Sequence, residues 1–107
     1  MTDPAHEPYH ASIFTDEDRV SRVVDVLKAV AHPVRLRVVA VLRDGECNVN
    51  GLADALSLNP AIVSQQLRIL RMSGLVDVTR EGGFANYRLS EPHLVDLLEC
   101  MEGCVSR

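Results

Sequence analysis

The chain has 107 residues, of which 47% are apolar, 24% charged and 4% aromatic, with 11 Lys+Arg against 15 Asp+Glu for a net charge of −4. This composition excludes a disordered or fibrous chain, the length suits one domain, and no apolar run reaches the eighteen residues or so that a membrane-spanning helix needs. The N-terminal segment MTDPAHEPYH has neither a basic stretch nor an apolar stretch of signal-peptide type. A cytoplasmic protein with no membrane contact is expected. There its three cysteines, an odd number, would be reduced.

Residues 1–14 carry Pro4, Pro8, His6 and His10 with little periodicity and read as a flexible N-terminal arm. The spacing Thr15 to Asp18 resembles a capping box. Behind it Val20, Val23, Val24, Leu27, Val30 and Ala31 fall at helical spacing, up to His32-Pro33. Pro33 suits the first turn of a second helix, apolar nearly all round, that stops at Asp44-Gly45. A short third helix carries Leu52, Ala53, Ala55 and Leu56, with Asn48 or Asn50 as its cap. Ser57-Leu58-Asn59 is a tight connection, and Asn59-Pro60 opens a fourth helix with Ile62, Val63, Leu67, Ile69 and Leu70 inward, closing at Ser73-Gly74.

Two short helices on a tight turn make a helix-turn-helix. Then 75–80 and 84–89 alternate as two strands about Glu81-Gly82-Gly83, a β-hairpin. Ser90-Glu91-Pro92 starts a last helix with Leu94, Val95, Leu97, Leu98, Met101 and Val105 as its stripe. The fold expected is mainly α with a small β-hairpin: a winged helix-turn-helix of about five helices and a two-stranded wing, one domain over 15–107. The stripes on the first and last helices exceed what a small core needs, which favours a homodimer.

The net charge conceals a division. Residues 1–18 hold five acids and no Lys or Arg, residues 91–107 four acids and Arg107, while 19–90 hold ten bases and six acids. The basic middle carries the helix-turn-helix and the wing, which points to double-stranded DNA. The fourth helix would enter the major groove, offering Ser64, Gln65, Gln66 and Arg68. Gln pairs bidentately with adenine and Arg with guanine. The cap at Asn59 turns backbone N–H groups toward phosphate. From the wing, Arg80, Asn86 and Arg88 would follow the DNA backbone. An enzyme is not expected: Cys-x-x-Cys is missing, and Gly82-Gly83 is not followed by a helix as a phosphate loop would be. A winged helix that binds protein instead of DNA is the remaining class, distinguished by insensitivity to salt.

The segments LKAVAHPVRLRVVAVLRDGECNV (27–49), LADAL (52–56), SQQLRILRMSGLVDVTREG (64–82) and NYRLSEPH (86–93) resemble the ArsR/SmtB winged-helix repressors, in order and without gaps over about residues 17–104. The resemblance implies a homodimer joined through its first and last helices. It implies a repressor on a promoter palindrome that leaves when an inducer binds. Where the family often has a basic residue after the wing glycine, this chain has Gly83-Phe84.

Cys47, Cys100 and Cys104 are the candidate sensor. Cys100 and Cys104 are four apart on one helix face, and two thiolates so placed can chelate Cd, Pb, Zn or arsenite. Cys47 precedes the third helix, whose N-terminus favours a thiolate. A small-hydrophobe role in the core is the plain alternative for each thiol. The Cys-Val-Cys site of many metal-sensing relatives is replaced by Asn48-Val49-Asn50. The last-helix site of others is partly matched by Glu91-x-His93, ten residues, Cys104, then Arg107, which cannot ligate. Glu91, His93, His6 and His10 are further ligand candidates, and His32 belongs to a helix start. A thiol-based response to oxidants or reactive sulfur is the alternative, although relatives of that kind carry a cysteine at the position of Ala40.

Overall fold

A computed structural model describes residues 13–106 of the chain. His6, His10, Arg107 and nearly all of the expected arm lie outside these residues. A 3-10 turn, Ile13–Thr15, is followed by α1 (Glu17–Val30), α2 (Pro33–Leu42), α3 (Val49–Leu56), α4 (Pro60–Met72), β1 (Val76–Glu81), β2 (Phe84–Leu89) and α5 (His93–Val105). Five helices and a two-stranded antiparallel hairpin are the expected architecture. Among the described residues no helix is long and apolar enough to cross a membrane.

The helix starts follow from short polar side chains and one imidazole. At α1 the cap is Asp16, one residue later than the expected Thr15: its carboxylate accepts from the N–H groups of Asp18 and Arg19. A carboxylate there also complements the helix dipole. His32 caps α2, its Nδ1 accepting from Val34 and Arg35 N–H at 3.1 and 3.4 Å. For α3 the structure selects Asn48, whose Oδ1 accepts from Gly51 N–H at 2.7 Å. Asn59 caps α4 through Ala61 N–H, with Pro60 in the first turn. The last helix opens later than expected, at His93, where the Glu91 carboxylate accepts from the His93 N–H.

One core joins all five helices to the hairpin. Val38, Leu52, Val63, Leu67 and Leu70 are completely buried, with Val39, Leu75, Val76 and Leu94 nearly so. α2 runs through the middle: Val38, Val39 and Leu42 are buried, and Val34, Leu36, Ala40 and Val41 are packed against the cluster. The wing pairs Val76 with Leu89 and Glu81 with Phe84. Its two-residue turn puts Gly82 at φ 55 and Gly83 at φ 82, the pair of positive angles that a type I′ hairpin turn demands. Strand alternation then sends Val76, Val78, Arg80, Ala85, Tyr87 and Leu89 to one face and Asp77, Thr79, Asn86 and Arg88 to the other.

Candidate nucleic-acid interface

Burial of Val63, Leu67 and Leu70 determines which side of α4 looks outward. Ala61, Ser64, Gln65, Arg68 and Arg71 line a groove closed on its far side by Arg80 and Tyr87 of the hairpin. Arg68, Arg71 and Arg80 are exposed, and none has an ion-pair partner among the described residues. Three guanidinium groups therefore share one concave surface with no ion-paired acid among the described residues. Such a surface suits a polyanion.

The structure sorts the expected contacts. Ser64, Gln65, Arg68 and Arg80 lie together in the groove. Gln66 does not line it: half-buried, its Oε1 accepts a hydrogen bond from Arg35 Nη1 at 2.9 Å. Asn59 Oδ1 is engaged in capping at 2.8 Å. Asn86 and Arg88 are on the hairpin's other face, where Arg88 faces Asp77 at 3.8 Å and Glu46 at 3.9 Å and donates to Thr79 Oγ1. Its charge is thus partly compensated within the chain. Arg71, which is not among the expected contacts, joins the groove. Its spacing of three from Arg68 and seven from Ser64 places it on the same helix face, a signal present in the sequence.

The cysteines are dispersed in character. All three are free thiols; Cys47 is half-buried, and Cys100 and Cys104 are exposed. Cys47 is bridged to the wing by a pair of backbone hydrogen bonds with Tyr87, at 3.0 and 2.8 Å. Its Sγ lies so close to Gly51 that a Cβ there would be 2.6 Å away. Cys104 edges an apolar groove between α2 and α5 with Leu36, Ala40, Leu98 and Met101. Among the described residues no three His, Cys, Asp or Glu side chains are gathered as a metal-holding group. Cys100 and Cys104 lie four apart on α5, both exposed.

Glu91 and His93 form a small pair of their own. The His93 Nδ1 lies 2.6 Å from Glu91 Oε1. That hydrogen bond, reinforced by the carboxylate charge, raises the imidazole above its ordinary value. The His93 backbone N–H, then its ring, lower the Glu91 carboxyl.

Residues 32–78 match the family model described as bacterial regulatory protein, arsR family. A biofilm growth-associated repressor of Agrobacterium fabrum is 39% identical over 85 residues, 79% of this chain and 73% of that one. The chain belongs to the arsR family of bacterial regulatory proteins. It is a winged helix-turn-helix DNA-binding regulator. It is also similar to the transcriptional regulator NmtR of Mycobacterium tuberculosis, at 38% identity over 84 residues, 78% of this chain and 70% of NmtR. Among solved structures, the transcriptional repressor BigR from Xylella fastidiosa superposes with a TM-score of 0.80 at 33% identity, covering 88% of this chain and 96% of that one. A homodimeric winged helix-turn-helix DNA-binding domain from Mycobacterium bovis does so at 0.72 with 30% identity, covering 81% of each chain.

Proposed function

We propose that this arsR-family protein is a cytoplasmic transcriptional repressor that binds a palindromic DNA operator as a homodimer and is released when a soft metal or metalloid ion binds cysteine thiolates. Ser64, Gln65 and Arg68 read base edges in the major groove, and Arg71 and Arg80 take phosphates on either side. The observation that carries this reading is the groove between α4 and the wing, with three guanidinium groups on it that have no ion-pair partner among the described residues. Two repressors among its relatives and neighbours, from Agrobacterium and Xylella, support the direction of regulation.

The inducer reading rests on Cys100 and Cys104, two exposed thiols on successive turns of α5. Cd, Pb, Zn or arsenite is the ligand class suited to such sulfur. Oxidation or persulfidation of the same thiols is the second reading. It is favoured by their exposure and by the lack of a gathered ligand group among the described residues.

Duplexes enriched from a random pool by the reduced protein, followed by fluorescence anisotropy across a salt series, test both levels. Arg80→Ala should weaken all enriched duplexes alike and flatten the salt slope by about one unit, while Arg68→Ala should cost about 1–3 kcal/mol and relax the preference at one base. Binding that ignores salt would sink the DNA reading in favour of a protein-binding winged helix. Release by Cd or arsenite that is lost in Cys100→Ser/Cys104→Ser supports the metal reading. Release by peroxide or persulfide alone supports the redox one.

A further inference from the structure

A single guanidinium ties three helices together. Arg35, in the first turns of α2, donates through Nε to the Ala29 carbonyl at 2.5 Å and through Nη2 to the Lys28 carbonyl at 3.4 Å. Both carbonyls belong to the last turn of α1, where a helix has no backbone donors of its own to offer. Its Nη1 reaches across 31 positions of sequence to Gln66 Oε1 on α4, at 2.9 Å. The side chains concerned are half-buried.

Gln66 is therefore turned from the DNA-facing groove toward the end of α1. The opposite side of α1 is apolar and outward: Val24 is 38% and Leu27 47% exposed. The guanidinium thus links the recognition helix to the helix that carries the exposed Val24 and Leu27. The other contacts that α4 makes with the core run through Val63, Leu67 and Leu70. Those are apolar, and apolar contacts are non-directional, so they resist separation better than they resist rotation or sliding. A charge-assisted hydrogen bond is directional and holds an angle.

From this geometry we infer that Arg35 and Gln66 are positioning residues that set the orientation of α4 relative to α1, and so the half-site spacing that a dimer accepts. The inference rests on the DNA-binding reading above. In a two-fold dimer any tilt of α4 against α1 is repeated in the partner, so the separation of the recognition helices changes by twice the projection of that tilt. Gln66 then contributes to discrimination between operators without touching a base.

The experiment uses the full chain and a duplex enriched by it, with variants of that duplex carrying one base pair inserted or deleted between half-sites. The wild-type preference for the enriched spacing is the readout, beside the base preference at each half-site position. Gln66→Ala should lower the spacing preference by about tenfold, the equilibrium equivalent of a lost hydrogen bond to a charged group, with base preferences unchanged. Gln66→Glu, which keeps an acceptor for Arg35, should retain the preference. If Gln66→Ala melts below the assay temperature, Gln66→Met takes its place, keeping the length of the side chain and removing the acceptor. A variant that alters the preferred base at one position and leaves spacing intact would make Gln66 a direct reader and overturn the inference. Unchanged spacing and base preferences would overturn it as well. A wild-type chain that enriches no duplex overturns the DNA-binding reading first, a result distinguishable from either.

Discussion

Gly51 shows how tightly one residue can be constrained by another. It lies in the first turn of α3, a helix position where alanine ordinarily gains about 0.5–1 kcal/mol over glycine. Here the added Cβ would fall 2.6 Å from Cys47 Sγ and 3.3 Å from Asn48 Oδ1. Gly51→Ala is therefore expected to lower the urea midpoint, and to do so much less in a Cys47→Ala background. A double-mutant cycle reads the difference directly, and additive effects would contradict the contact. The Glu91–His93 pair makes a prediction of a different kind. Because the folded imidazole titrates above its ordinary value of about 6.5, its stabilising effect is complete below that pH and is lost as pH rises through the raised value. The Glu91 carboxyl is lowered, so its contribution is present above its ordinary range and is lost as pH falls through the lowered value. In an NMR titration, Glu91→Gln should return His93 toward an ordinary histidine; an unmoved midpoint would remove the pair.

At the scale of elements, the turn between α3 and α4 carries a local strain. Ser57 caps α3 at φ 55 and ψ 47, the left-handed region, and no other non-glycine residue among those described has a positive φ. The geometry gives the turn its tightness and places α4 against α2 and α3. A serine there costs about 1 kcal/mol relative to glycine. Ser57→Gly is expected to raise the melting temperature by a few degrees, less whatever entropy glycine adds to the unfolded chain. A melting temperature that falls would show that the serine side chain holds the turn by a contact of its own. The hairpin is a second case of element-level constraint. Its alternation sends Arg80 toward α4 and Arg88 away, so two arginines eight apart on the same wing have opposite neighbours. Arg43 links elements in another way, pairing with Glu102 and so joining the end of α2 to α5.

For the whole molecule, the apolar surface is distributed unevenly. Val23, Val26 and Leu27 of α1 form a groove with Leu94 and Leu97 of α5, and Val24 is exposed beside it. Glu91 and His93 stand at its edge. The homodimer through the first and last helices that the family resemblance implies would cover it. Leu27→Asp is expected to shift the protein to monomer in sedimentation experiments while leaving its helical circular dichroism intact. Operator affinity should then fall steeply, since two recognition helices no longer bind as one unit. A variant that stays dimeric would place the interface elsewhere.

Much of this molecule is written locally. Asn48, Asn59, Pro33, Pro60, Gly74 and Gly82-Gly83 mark element boundaries because caps and turns depend on side chains within three or four positions. The same holds for the apolar spacing of α4, which makes the outward row of Ser64, Gln65 and Arg68 legible from the residue order alone. At α1 the competition is between adjacent cap residues, Thr15 and Asp16, and the carboxylate is the one that caps. Only the tertiary structure decided where four groups point. Gln66 turns to Arg35, Arg80 closes the groove opposite α4, Arg88 meets Asp77 and Glu46, and Cys47 is bridged to Tyr87. Each of these side chains could rotate to more than one surface. The choice is made by partners that are distant in sequence, brought near only when the core closes around α2.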